Sequence, residues 1–251
     1  VNSKERFTDR VDHYVKYRPG YPKEAIDYLY ETVGFASHSE IADIGAGTGI
    51  FTKLLLERCS HVTAVEPNEA MREYAEQMLQ GDPNFRAAAG SAEMTGLPDG
   101  SVDFIVCAQA FHWFDLAAAQ TEFRRILRAG GKVVLVWNSR LTVGTPFLTE
   151  YEKLLHTYGT DYAAVNHRNI SQDHLTAFFQ HGSFQAARFS NRQIFDYDGL
   201  KGRLLSSSYS PQAGHQNYIP MMSELRKLFD RNEQDGKVFF DYETEVYWGG
   251  I

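Results

Sequence analysis

The spacing of apolar positions changes character along the chain. Residues 3–17 and 23–33 carry them at helical intervals, separated by the breaker "RPGYP" (18–22) and closed by Gly34. From residue 40 onward, short apolar runs alternate with amphipathic stretches. "EIADIG" (40–45), "HVTAVEP" (61–67), part of "NFRAAAGSAE" (84–93), "VDFIVCAQA" (102–110) and "KVVLVWN" (132–138) read as strands. "IFTKLLLERC" (50–59), 69–80 and 116–128 read as helices. Asn68 and Asp115 are placed to cap the second and third of these, and "AGG" (129–131) to end the third. Strands and helices alternating at this spacing predict right-handed crossovers and a parallel sheet covered on both faces.

After Arg140 the rhythm slows. Residues 145–181 read as mostly helical, 184–197 as a strand, 198–206 and 219–232 as helices, and 237–249 as a last strand. The expected fold is α/β: a doubly wound, mostly parallel seven-stranded sheet with its last strand antiparallel and a helical cap inserted after the fifth strand.

Composition narrows the function. With 251 residues, 43% of them hydrophobic, the chain can bury a substantial core. A formal charge of −7 argues against a broad footprint on a phosphate backbone, so no nucleic acid partner is expected. No apolar run reaches membrane-span length and no basic-then-apolar leader opens the chain, so a cytoplasmic protein without a membrane partner is expected. Cys59 and Cys107 both sit in apolar runs and read as buried free thiols, in keeping with a reducing compartment. His13, His112, His167, His174 and His181 are scattered among elements, and no metal site is expected.

The candidate chemistry begins at "IADIGAGTGIF" (41–51). In an open parallel sheet, ligands bind beyond the C-terminal strand ends. Gly45, Gly47 and Gly49 allow a sharp turn and a close approach of backbone to ligand, and Glu66 ends the second strand with a carboxylate able to take a ribose diol. The dinucleotide fingerprint G-x-G-x-x-G is not met, because the spacing here is G-x-G-x-G. Asp43, two residues before the first glycine, would repel a pyrophosphate and suit an ammonium group. A phosphate-free nucleoside bearing an amino acid therefore fits better than a nicotinamide dinucleotide.

"ADIGAGTG", "VTAVEPNEAM", "GSAEMTGLPDGSVDFIVCAQAFHWFD" and "GGKVVLVWN" closely resemble the Rossmann-like (class I) S-adenosyl-L-methionine-dependent methyltransferases, in particular the type 11 small-molecule group. The resemblance covers roughly residues 10–140. It implies a single unit over 1–251: an N-terminal helical lid (1–34), a cofactor-binding core (35–140), a cap (141–183) and closing strands and helices (184–251). It implies that Asp43, Gly45, Ala46, Gly47 and Gly49 hold the methionine part of the cofactor. Glu66, Pro67, Asn68 and Met71 would surround the ribose, Ser91, Ala92 and Glu93 would face the adenine, and Gln109 and Ala110 would lie beside the methionine. Many members carry Asp where this chain has Ser91, so the Ser91 hydroxyl or Glu93 would take that contact. Tyr14, Tyr17 and Arg18 would be lid or pocket residues, with Trp113 and Asn138 toward the acceptor.

Transfer of a methyl group from a sulfonium asks the protein chiefly for alignment and a dry site. A carboxylate acceptor needs no base, whereas a phenol or alcohol does, and His112, just after the fourth strand, is the candidate for a base or an orienting group. The acceptor is expected to be a small molecule. No Asn/Asp-Pro-Pro-aromatic motif follows the fourth strand, which argues against methylation of a base nitrogen. A sensor that binds the cofactor without turnover is the alternative. "SSSYS" (206–210) reads as a polar turn, with presentation of its hydroxyls to the pocket as the alternative, and Trp137 as core.

Overall fold

The computed structural model describes residues 17–162 and 171–251; the expected helix 3–17 lies almost wholly outside them, as do His13, Tyr14 and His167. The central strands are β1 (Glu40–Ile44), β2 (His61–Val65), β3 (Phe85–Ala88), β4 (Val102–Ala108) and β5 (Leu127–Arg140). β6 (Gln185–Phe195) and β7 (Val238–Gly249) complete a seven-stranded sheet in the order β3-β2-β1-β4-β5-β7-β6. Strands β1 to β5 pair in parallel, and β7 runs antiparallel between β5 and β6. The expected order of elements and the antiparallel last strand are both found.

Burial follows this arrangement. β1 and β4 are almost continuously buried, as parallel strands covered on both faces must be. β7 alternates buried and half-buried positions, and β6 alternates exposed and half-buried ones at the sheet edge.

The helices cover the two faces. On one lie α1 (Lys23–Tyr28), extended by a wide turn to Val33, and α2 (Ile50–Leu56), packed through Ile26, Leu29, Phe51 and Leu55. Gly34, at φ 107°, stops α1 as expected. Beside α2 packs α3 (Glu69–Leu79), whose cap is the expected Asn68, accepting from Met71 N at 3.0 Å. On the other face α4 (Leu116–Ile126) packs through Phe123 and Ile126, capped by the Asp115 side chain.

The 145–181 block does not stay together. α5 (Pro146–Tyr158) packs with α7 (Tyr197–Leu205) and α8 (Tyr218–Asn232), where Leu148, Tyr151 and Leu155 meet Met221, Leu225 and Phe240. α6 (Gln172–Phe178) instead crosses to α4, its Phe178 ring 6.1 Å from that of Phe123. Each helix follows its own apolar stripe to a different partner.

Two local expectations are corrected. "AGG" is not a helix cap: α4 ends at Ile126, Leu127 is already extended, and residues 128–131 bulge out opposite Asp103, since Leu127 pairs with Val102 and Lys132 with Phe104. A Cβ on Gly131 would lie 2.9 Å from the Asp103 carbonyl, so the close approach of the bulge requires glycine. Cys59 is exposed, not buried, while Cys107 is buried as expected. α2 stops at Leu56, and Cys59 turns outward at φ 62°, off the stripe that "LLLERC" appears to continue.

Candidate active site

The order of strands reverses between β1 and β4, and a cavity opens beyond their C-terminal ends. Asp43 reaches it from β1, Gly45 to Thr48 from the following loop, Glu66 from β2, and Gln109, Ala110, His112 and Trp113 from the segment after β4.

Asp43 is fully buried. Its Oδ2 accepts from Thr52 Oγ1 at 2.6 Å, and its Oδ1 has no hydrogen-bond partner among the described residues. Burial, with a smaller contribution from the nearby Glu66 charge, pushes its carboxyl up to about 7. A buried acceptor left open beside a cavity fits an ammonium ligand.

Glu66 is held from both sides. Its Oε2 accepts from Gly47 N and its Oε1 from Asn68 N, each at 2.8 Å. Burial raises its pKa and these two N–H donors oppose the rise. Each oxygen keeps a lone pair for a further donor, which fits the two hydroxyls of a ribose. The Thr48 hydroxyl, on the cavity wall, is likewise without a partner among the described residues.

The glycines of the loop do different things. Gly45, at φ 72°, would place a Cβ 2.6 Å from that of Ala110, so the two loops touch only because no side chain intervenes. Gly47 faces open space beside Met71. Gly49, expected to touch the cofactor, instead packs against α3, where a Cβ would lie 2.8 Å from Leu79 Cδ1, and it does not line the cavity.

The remaining expected residues divide in the same way. Pro67, Asn68, Met71, Ser91, Ala92 and Glu93 line the cavity. Glu93 also accepts from Asp115 N at 3.0 Å, fixing the start of α4. Gln109 adopts φ 59° while its N–H stays bonded to Val136 O, so β4 ends abruptly at the cavity floor. His112 and Trp113 are half-buried in a short 3-10 turn, their ring centres 4.9 Å apart.

Arg18 lines the cavity, with its Nη2 bonded to Ser206 O at 3.2 Å. Tyr17 does not line it: its ring packs on Gly202, where a Cβ would come within 2.2 Å of that ring. Asn138 touches the cavity, yet its amide bonds Gly20 O at 3.0 Å and its Oδ1 accepts from Thr244 at 2.5 Å. It ties the segment before α1 to the sheet. Trp137 is core, as expected.

Sequence reasoning misses most of the outer wall, offering only the 206–210 hydroxyls as an alternative. Arg140, Tyr162, Arg203, Ser208, Tyr209 and Tyr242 all line the cavity. "SSSYS" is a turn, but a buried one: Ser206, Ser207 and Ser210 face inward, each hydroxyl bonded within 6 residues or fewer of its own position, to Arg203 or Leu204. Arg140 pairs with Glu152, bonds Tyr162 Oη at 3.2 Å, and lies 5.1 Å from the centre of the Tyr151 ring. Burial pushes the Tyr151 and Tyr162 phenols up, so both stay protonated at neutral pH. Among the described residues no cluster of His, Cys, Asp and Glu could hold a metal ion, and no helix is long and apolar enough to cross a membrane.

Comparison with known proteins agrees with this geometry. A family model described as a methyltransferase domain matches residues 42–135. A methyltransferase-like protein of Schizosaccharomyces pombe is 35% identical over 96% of the chain and 93% of its own length. A malonyl-[acyl-carrier protein] O-methyltransferase of Paenibacillus is 33% identical over 86% of the chain and 84% of its own length. A methyltransferase of Mycobacterium bovis is 43% identical, but the chain spans only 52% of that relative. A structure solved as a candidate type II methyltransferase from Anaeromyxobacter dehalogenans superimposes with a TM-score of 0.65 at 22% identity, over 93% of this chain and 98% of the other, which shows a shared fold.

Proposed function

From the premise that this chain belongs to the class I S-adenosyl-L-methionine-dependent methyltransferases, we propose that it methylates a small molecule at a carboxylate or hydroxyl oxygen. When bound, the cofactor supplies a methyl group activated on a sulfonium. The observation that carries this reading is the pair of buried carboxylates at the switch point, one with an open acceptor and one with a lone pair on each oxygen.

The residues take the following roles. Asp43 and the Gly45–Gly47 backbone bind the amino acid end, and Glu66 orients the ribose. Ser91, Ala92 and Met71 wall the adenine. Gln109 and Ala110 set the floor beside the reacting centre, and Phe114 with Trp113 keeps that floor dry. His112 sits where an acceptor would enter and either orients it or takes its proton. The relative named as an O-methyltransferase supports oxygen as the accepting atom. The free thiols Cys59 and Cys107 are in keeping with a reducing cytoplasm.

The test uses S-adenosyl-L-methionine labelled on its methyl group, incubated with the protein and a small-molecule extract. Label that mild base releases as methanol identifies a carboxylate acceptor. Label that resists base in an organic product sits on a hydroxyl oxygen, a nitrogen, a sulfur or a carbon; a methyl ether among these keeps the reading, and a methylated nitrogen, sulfur or carbon overturns the choice of oxygen. Cofactor binding without any incorporation overturns the reading in favour of a sensor.

A further inference from the structure

Besides the carboxylates Asp43 and Glu66, the cavity is lined by buried arginines. Arg203, in the last turn of α7, is only 6% exposed and lines the cavity wall. Among the described residues its guanidinium bonds neutral oxygens: Tyr242 Oη at 3.2 Å, Ser207 Oγ at 3.0 Å and Ser206 Oγ at 3.4 Å. No carboxylate pairs with it among the described residues.

Nearby Arg140 presents the contrast. It is as deeply buried, and Glu152 balances it. A buried cation without a balancing anion is costly, because desolvation removes more than neutral hydrogen bonds return. The C-terminal dipole of α7 offsets part of that cost and supplies no formal negative charge. Arg18, bonded to Ser206 O, adds a further cation to the lining, while the acids of the cavity, Asp43, Glu66 and Glu93, come from the ends of β1 and β2 and the loop before β4.

The geometry points to Arg203 as the anchor for a carboxylate on the methyl acceptor, which makes the substrate class small organic acids. This rests on the methyl-transfer reading above. A planar guanidinium takes a carboxylate through two parallel hydrogen bonds, and the Tyr242 and Ser207 hydroxyls hold that plane in place. Neutral molecules of the same shape leave the cation unbalanced and are rejected.

The test pairs acids with their neutral isosteres. Calorimetry on the full chain, free and loaded with S-adenosylhomocysteine, compares millimolar hexanoate, benzoate and succinate with the matching amides. Acids should bind about tenfold or more tighter than amides. Arg203→Gln should erase that preference while S-adenosylhomocysteine affinity stays within about twofold of wild type, and Arg203→Lys should restore part of it. The wild-type comparison can overturn the assignment even if the variants do not fold. Acids and amides that bind alike, acids that do not bind at all, or a preference that survives in Arg203→Gln would each overturn the assignment. Failure of the wild type to bind S-adenosylhomocysteine would instead count against the methyl-transfer reading, and the acid comparison on the free protein separates the two.

Discussion

The two ends of the cavity are built by opposite strategies. At the cofactor end, the acids Asp43 and Glu66 come from adjacent parallel strands and are wired to backbone N–H groups or to a neighbouring hydroxyl. Every residue there lies within the alternating strand–helix core, at positions that strand ends dictate. At the outer end, Arg18, Arg140, Arg203 and Tyr242 come from four distant parts of the chain and meet only after the sheet is complete. The Asp43 and Glu66 end lies inside residues 42–135, which the methyltransferase family model matches, and Arg18, Arg140, Arg203 and Tyr242 lie outside that stretch. The proposed roles divide the same way, with cofactor binding in the core and choice of acceptor in the segments packed around it.

The strongest way to break this comparison is Asp43→Asn. The carboxyl of the free protein sits at about 7 against an ordinary 3.8. Such a group stabilises the fold while protonated, fully below 3.8, and that stability is lost as pH rises through 7. Asparagine stays neutral and still accepts from Thr52. The substitution should therefore stabilise the free protein by up to about 4 kcal/mol at pH 8 and by progressively less toward pH 4. S-adenosyl-L-methionine should bind more weakly to it at every pH above neutrality. Thermal unfolding at a series of pH values is the measurement, and a gap that does not grow with pH would show that Asp43 is not a destabilised acid held ready for a cation.

A smaller effect should come from Glu66→Ala. It removes hydrogen bonds to a charged acceptor, and S-adenosyl-L-methionine binding should weaken by roughly 1–3 kcal/mol. Carboxylic acids at the outer end should still bind. If their binding falls in parallel, the ends are coupled and the comparison needs revision.

The same contrast explains what the sequence reveals. β1 and β4 are legible as continuous apolar runs because parallel strands are buried on both faces, and Asn68 and Asp115 are legible as caps because capping is local. Asp43 and Glu66 follow from strand ends and a glycine turn. That Gly49 packs against α3 and lies off the cavity wall has no local sign, because α3 is a tertiary contact. Arg203 leaves no trace either, and the burial of the serines does not show. "KGRLLSSSYS" has the composition of a surface helix and turn, and only the packing of α7 against β6 and α8 carries it inside. The division of the 145–181 block between α8 and α4 is hidden for the same reason: an apolar stripe shows that a helix has a partner and not which one.

The smallest expected effect lies where the two ends meet. A carboxylate acceptor is already ionised at neutral pH and has no proton to give up, so a general base contributes nothing to its methylation. With an acid as acceptor, His112→Ala should retain S-adenosylhomocysteine affinity and lower kcat by less than about tenfold, an activation difference near 1.4 kcal/mol, through looser alignment alone. The pH profile of kcat above pH 7 should be the same in both proteins. A loss of about a hundredfold or more, with a pH-dependent limb present in the wild type and absent from the variant, would mean that His112 removes a proton. The methylated atom would then be a hydroxyl oxygen, and the carboxylate held by Arg203 would orient the acceptor without itself being the nucleophile.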